Sequence, residues 1–465
     1  IGGNCMSDSV INLAELKAKA EALTSARTRL TYLFDEGSFS ELDPFYSSDS
    51  DLAGVITAFG YVEGNPVYAF SQDISVKSGA LTEAQAKKIV KVYDLAAKTG
   101  VPVVGIYDSF GADLSNGCKA LNSYGELLMW TSNLSGVVPQ ISVVAGTCAG
   151  ASVMLAESAD FVVVTKDSQL YVAPNSDISD SAENAGKNGT ASIVAENDEE
   201  AIEAAKNLLL KLPQNNLSPV PMYEFSVPET AFGSDAQSQA EAVCDADSLV
   251  ELSADFGIAS YTALGSIGGA TVGVVATNKT NDKLNADDCT KIARFVRICD
   301  SYAIPVVTFV DTEGFKADNA TETAGAVREM TKLAHAYAEA TTIKISVVTG
   351  KAYGPAFIAL AGKGANADLV YATSNATISA LNPITAVEFL EHDELKGAAD
   401  LTAKRNELAD KYSKEQASAA VAAVNGSVDN VVEEANLRDA LINSIEIMAG
   451  KRISRLPKKH SNIQL

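Results

Sequence analysis

At 465 residues the chain exceeds what one ordinary hydrophobic core organises, which argues for two or three domains. Its 47% apolar and 20% charged residues fit a soluble globular protein, and a formal net charge of −23 argues against a general role on nucleic-acid phosphates or anionic lipid. Six cysteines, at 5, 118, 148, 244, 289 and 299, form no CxxC pair, so neither a zinc ribbon nor a disulfide framework is indicated and a reducing, cytoplasmic setting is expected.

The opening "IGGNCMSDSV" has neither the basic start nor the apolar core of a signal peptide. Residues 83–98 read as a helix with Ile89, Val92 and Leu95 on one side, followed by the strand "VPVVGIY" and then Asp108. Lys87 and Lys88 are within reach of a phosphate in principle, but a solvated helix face is the simpler reading. No charge occurs between Glu126 and Glu157, yet Gly136, Pro139, Gln140, Gly146 and Gly150 interrupt that run, so it reads as a buried strand and turn rather than a membrane span. The strand-and-turn is "ISVVAGTCAGAS", Ile141 to Ser152. Cys148 lies within it and, with no histidine nearby, reads as a packing residue rather than a nucleophile. The Pro-, Ser-, Gln- and Glu-rich stretch from about Val220 to Val243 reads as an inter-domain linker.

Beyond it the plan repeats. "KKIVKVYDLAAKTGVPVVGIYDSFG" from Lys87 is answered by "TKIARFVRICDSYAIPVVTFVDTEG" from Thr290, pairing Asp108 with Asp311, and the second helix carries Ile292, Phe295 and Cys299. "ISVVTGKAYGPA" from Ile345 answers the strand-and-turn, and "DADSLVEL" from Asp245 answers "DEGSFSEL" from Asp35. Three ordered matches at nearly one spacing imply two homologous domains, placed at residues 1–235 and 236–465. Short apolar strands alternating with helices imply covered sheets, hence α/β.

A strand that ends in Gly-x-x-x-Gly and enters a helix presents free backbone N–H groups, which stabilise an oxyanion. Glycines there also permit tight strand-to-helix packing; duplication at matching places favours the functional reading. Asp108 and Asp311 suggest a carboxylate pair or, more simply, two residues that bind backbone amides. His335, His392 and His460 are the only histidines, and none sits in a nucleophile-elbow or HExxH pattern, so a histidine-based hydrolase or a metal enzyme has little support. Two oxyanion holes without a strong side-chain base suit biotin carboxyl transfer, in which one hole serves a thioester oxygen and the other a ureido oxygen.

The chain also resembles a known family, the carboxyltransferase subunits of biotin-dependent acyl-CoA carboxylases and of sodium-pumping acyl-CoA decarboxylases. The resemblance runs almost end to end, through "ARTRLTYLFDEGSFSEL" from Ala26, "GYVEGNPVYAFSQDISVKSGALTEAQAKKI" from Gly60, "SGVVPQISVVAGTCAGA" from Ser135, "AYAEATTIKISVVTGKAYGPA" from Ala336 and "LPKKHSNIQL" from Leu456. It implies two tandem crotonase-like ββα-superhelix domains, with active sites where the N domain of one subunit meets the C domain of another. It further implies that Gly150 and Ala151 hold the thioester oxygen, that Gly354, Pro355 and Ala356 face biotin, and that Phe110, Gly111, Ala112 and Gly146 line the acyl-CoA site. Implied partners are a biotin carboxyl carrier protein, a biotin carboxylase or a membrane decarboxylase subunit, and further copies of this chain or of a paralogue.

This chain departs from the family pattern in several places. "DSFGAD" stands where the family reads Asp-Ser-Gly-Gly-Ala-Arg, so Phe110 adds bulk and Asp113 reverses a charge. The segment from Tyr171 to Ala191 is shorter than usual, Glu313 replaces a common proline, and Phe357-Ile358 replace a tyrosine and a variable residue. Pro355 has no N–H, so the second hole is expected to lack a donor. The alternatives to an active carboxyltransferase are a degenerate structural subunit assembled with an active paralogue, and a stand-alone crotonase-like hydrolase or hydratase.

Overall fold

The computed structural model describes residues 12–48, 51–173, 180–453 and 455–463. The chain forms two compact units, Ile1–Ala185 with Val194–Lys206, and Gly186–Ile193 with Asn207–Leu465.

Each unit is built on one eight-stranded sheet with the same strand order. In the first, Ser40–Leu42, Val55–Val62 and Asn65–Gln72 pair antiparallel; Val103–Ser109, Gln140–Ala149 and Phe161–Thr165 then continue in parallel. The short strand Gln169–Tyr171 pairs with the far end of Gln140–Ala149. In the second, Tyr261–Ile267, Ala270–Ala276, Val306–Thr312, Lys344–Tyr353 and Leu369–Ala372 repeat the pattern, and Thr377–Ser379 pairs with the end of Lys344–Tyr353. The central strands are mainly apolar and buried; all seven residues of Val103–Ser109 are buried, Asp108 and Ser109 included.

The crossover helices follow from their apolar spacing. Glu83–Thr99 starts on a Thr82 cap, ends at left-handed Gly100, and buries Ile89, Val92, Tyr93 and Ala96. Ala286–Ser301 starts on an Asn285–Asp288 capping box and buries Ile292, Phe295, Val296 and Cys299. Lys88 is buried, not solvated: its Nζ donates to the Val55 carbonyl at 2.7 Å, and Lys291 repeats the contact at 2.9 Å to Ser260. Burial holds both ammonium groups down at about 8. Lys87 does face solvent, in an ion pair with Glu83.

The stretch read as a linker is structured within the second unit. Tyr223 N–H donates to Gly269 O at 2.9 Å, and Ala236–Val243 is a helix whose Ala236, Ala240 and Val243 join the core under Val272, Val274 and Phe309. Gln239 is the one polar side chain of the stretch that is buried, and the small apolar residues at helical spacing carry the rest of the packing. Among the described residues no helix is long and apolar enough to cross a membrane.

Candidate active site

The first sheet is irregular where the strand-and-turn departs from it. Val103–Ser109 runs in register with Gln140–Ala149 up to Tyr107 and Val144, and resumes at Ser109 and Cys148, so the longer strand bulges between them. The Asp108 carboxylate fills that bulge. Its Oδ1 accepts Thr147 N–H at 3.3 Å and its Oδ2 accepts Arg29 Nη1 at 3.0 Å. Arg29 also donates to Asp198 at 2.7 Å and to the Ala145 carbonyl at 2.8 Å, so one buried guanidinium fixes both strands. Burial pushes the Asp108 carboxyl above its ordinary value against the pull of Arg29.

The second sheet has the same irregularity between Val310 and Thr312, filled by Asp311, whose Oδ1 accepts Lys351 N–H at 2.8 Å. The two aspartates therefore bind backbone amides one in each sheet, the simpler of the two readings of their sequence. Gly146 is required beneath Asp108, where a Cβ would lie 2.4 Å from Oδ1.

Past the bulge the strand ends at Gly150, in a backbone conformation of φ +62°, and Ala151–Glu157 begins as a helix. Gly150 N–H is spent on the Tyr171 carbonyl at 2.8 Å. Ala151, the first helical residue, is half-buried, and its N–H has no acceptor among the described residues. Beside it runs the turn after Ser109. Leu81 forms a parallel bridge to Ala112, donating to Gly111 O at 2.7 Å and accepting from Asp113 N–H at 3.2 Å. Backbone groups alternate along an extended segment, so Ala112 N–H points away from Leu81. The turns touch: a Cβ on Gly111 would sit 3.1 Å from Ala149 O. Two backbone donors, at Ala112 and Ala151, thus belong to adjoining turns.

The second unit repeats the frame with one donor missing. Leu284 bridges Phe315 through Gly314 O and Lys316 N–H, which leaves the Phe315 N–H as the counterpart of Ala112. Gly354, at φ +54°, donates to Ser379 O at 2.9 Å, and Pro355 opens the next helix, Pro355–Ala361, without an N–H. Ala356 is fully buried. Glu313 and Lys351 form an ion pair of 2.8 Å beside this turn.

The remaining expected residues fall as follows. Phe110 is 53% exposed, and its N–H donates to Ser78 O. Gly111 N–H is held by Ser109 Oγ at 3.1 Å, as Gly314 N–H is by Thr312 Oγ1 at 3.2 Å. These hydroxyl latches escaped the sequence reading, although a hydroxyl residue stands two positions before the glycine in both halves. Asp113 is no free charge: it caps residues 114–116 by accepting from Ser115 N–H and Oγ, Asn116 Nδ2 and Lys77 Nζ, and the Ser115 hydroxyl leads the contacts that hold it at about 2. Cys148 is buried, and burial pushes its thiol well up, away from nucleophile chemistry. His335 lies 3.9 Å from Glu339 on its own helix, and among the described residues no group of three His, Cys, Asp or Glu side chains is placed to hold a metal. Of the segment 171–191, residues 174–179 lie outside the described residues, as does the opening of the chain.

Residues 18–463 match the family model described as the carboxyl transferase domain. The chain is 34% identical to the methylmalonyl-CoA decarboxylase subunit alpha of Propionigenium modestum, over 97% of this chain and 95% of that one. It is 36% identical to the propionyl-CoA carboxylase beta chain of Saccharopolyspora erythraea, over 97% and 92%. In structure it resembles transcarboxylase 12S solved with methylmalonyl-coenzyme A and methylmalonic acid bound, with a TM-score of 0.91 at 31% identity, covering 100% of this chain and 99% of that one.

Proposed function

The chain belongs to the carboxyl transferase domain family, and from that membership we propose that it moves a carboxyl group between a biotin carried on a partner protein and an acyl-CoA. The observation that carries this reading is the adjoining pair of backbone donors at Ala112 and Ala151. Fixed N–H groups aimed at a thioester oxygen stabilise the negative charge that grows there when the α-carbon loses or accepts a carboxyl group, and they need no reorganisation. Biotin, when present, supplies the ureido nitrogen that carries the carboxyl group. On that side this chain offers the Phe315 N–H alone from the equivalent pair, so the biotin-facing half is the weaker one. Gly150 and Gly354 shape the two turns rather than donate to ligand, because each amide already has a carbonyl acceptor.

The relatives carry decarboxylase and carboxylase names, and transcarboxylase 12S is described as a hexamer. We extend to this chain a hexameric assembly, a biotin carrier partner, and either a biotin carboxylase or a membrane decarboxylase subunit. Pro355 favours a second reading, that of a structural subunit assembled with an active paralogue.

One experiment separates the two. Decarboxylation of methylmalonyl-CoA and malonyl-CoA with free biotin is measured for the purified chain and for Ala151→Pro, which copies the second turn into the first. Slow turnover by the natural chain, abolished in a folded Ala151→Pro, supports the transferase; turnover unchanged by that substitution removes the proposed hole. Light scattering is expected to give about six times the 48.6 kDa of one chain, and a monomer would contradict the assembly.

A further inference from the structure

Behind the first turn lies a buried polar contact that the reaction chemistry does not use. The Tyr124 and Ser152 hydroxyls are 2.6 Å apart, and both residues are buried. The two residues belong to different elements. Tyr124 stands in the helix Cys118–Leu134, which follows the turn that carries Ala112, and Ser152 is the second residue of the helix that Ala151 opens. A buried hydroxyl is costly unless it is paired, and a paired one fixes its neighbours in a single geometry.

We infer that Tyr124 and Ser152 are a positioning pair that sets the spacing between the Ala112 and Ala151 N–H donors; this rests on the donor pair being the acyl-CoA oxyanion hole. The second unit argues for it by contrast. Ala356, the counterpart of Ser152 at the same spacing from its glycine, has no hydroxyl, and it follows the residue that has lost its N–H. At the repeat's shift of about 203–204 the place of Tyr124 falls on Val327 or Arg328, neither of which carries a hydroxyl. The hydroxyl support is present in the turn with two donors and absent from the turn with one.

The test uses Tyr124→Phe and Ser152→Ala, each of which removes a single oxygen, and their combination, all in the full chain. Dissociation constants are measured for propionyl-CoA and for S-propyl-CoA, the thioether that lacks the carbonyl oxygen. Each single variant is expected to weaken propionyl-CoA roughly three- to tenfold and leave S-propyl-CoA unchanged, with the double variant no worse than the weaker single one. Amide exchange without ligand should quicken in both segments 109–117 and 150–157. Equal weakening of both ligands would reduce the pair to packing, and unchanged exchange in both segments would overturn it. A natural chain that binds the two ligands equally refutes the oxyanion-hole reading, and the exchange measurement still decides whether the pair fixes the turns.

Discussion

The carboxylate of Asp108 occupies the space that a side chain on residue 146 would need: a Cβ there would lie 2.4 Å from Oδ1. Asp311 and Gly350 repeat the relationship at 2.3 Å. Because Arg29 and the Thr147 amide hold Asp108 from two sides, it has no room to give way.

Gly146→Ala is therefore expected to destabilise the first unit by about 1–3 kcal/mol, the usual cost of overpacking. Gly125 is the control, since it lies in a helix where an added Cβ meets nothing within 4 Å. Gly125→Ala should stabilise by about 0.5–1 kcal/mol. Denaturant titration of both variants checks the contrast, and a neutral Gly146→Ala would show that Asp108 is free to move.

Pro355→Gly restores an N–H at the start of its helix. If the biotin-facing turn limits the reaction, carboxyl transfer should rise by about 10²–10³, the usual weight of one oxyanion donor. The relevant measurement is the rate of methylmalonyl-CoA decarboxylation as free biotin is varied, with the change in the biotin dependence rather than in the CoA dependence. No increase in a folded variant would move attention to Phe110, whose exposed ring stands at the other turn.

Acid should loosen the closing residues. Glu339 accepts hydrogen bonds from Lys458 and Ser461, both at 2.6 Å, and pairs with Arg297 at 3.2 Å. Burial raises its pKa, but the hydrogen bonds from Lys458 and Ser461 and the charges of Lys458 and Arg455 outweigh burial and bring it from an ordinary 4.5 to about 2. A carboxylate with a depressed folded value adds stability above its unfolded value and loses it as pH falls through the folded one. The melting temperature of the natural chain should thus exceed that of Glu339→Gln above about pH 4.5, and the gap should close toward pH 2. A gap independent of pH would assign the difference to packing.

The repeat was readable because its signals are local. A helix, a β-branched strand, an aspartate and a glycine turn recur about 203 residues apart, and the structure gives both copies the same strand order. Contacts made by returning segments were not readable. Gly150 looks like a donor in sequence, and only the pairing of Gln169–Tyr171 with the preceding strand shows its amide to be spent. Lys88 has the look of a surface residue, since the carbonyl that receives it lies 33 positions earlier. Asp113 gave a partial signal: Ser115 and Asn116 follow at capping distance, but a charge comparison alone made it seem a free anion.

The second turn keeps its shape without its donor. Gly354 is tied to Ser379, and proline suits the first position of a helix, so Pro355 is compatible with the fold there. A change of this kind is invisible to a measurement of folding, and only the chemistry registers it.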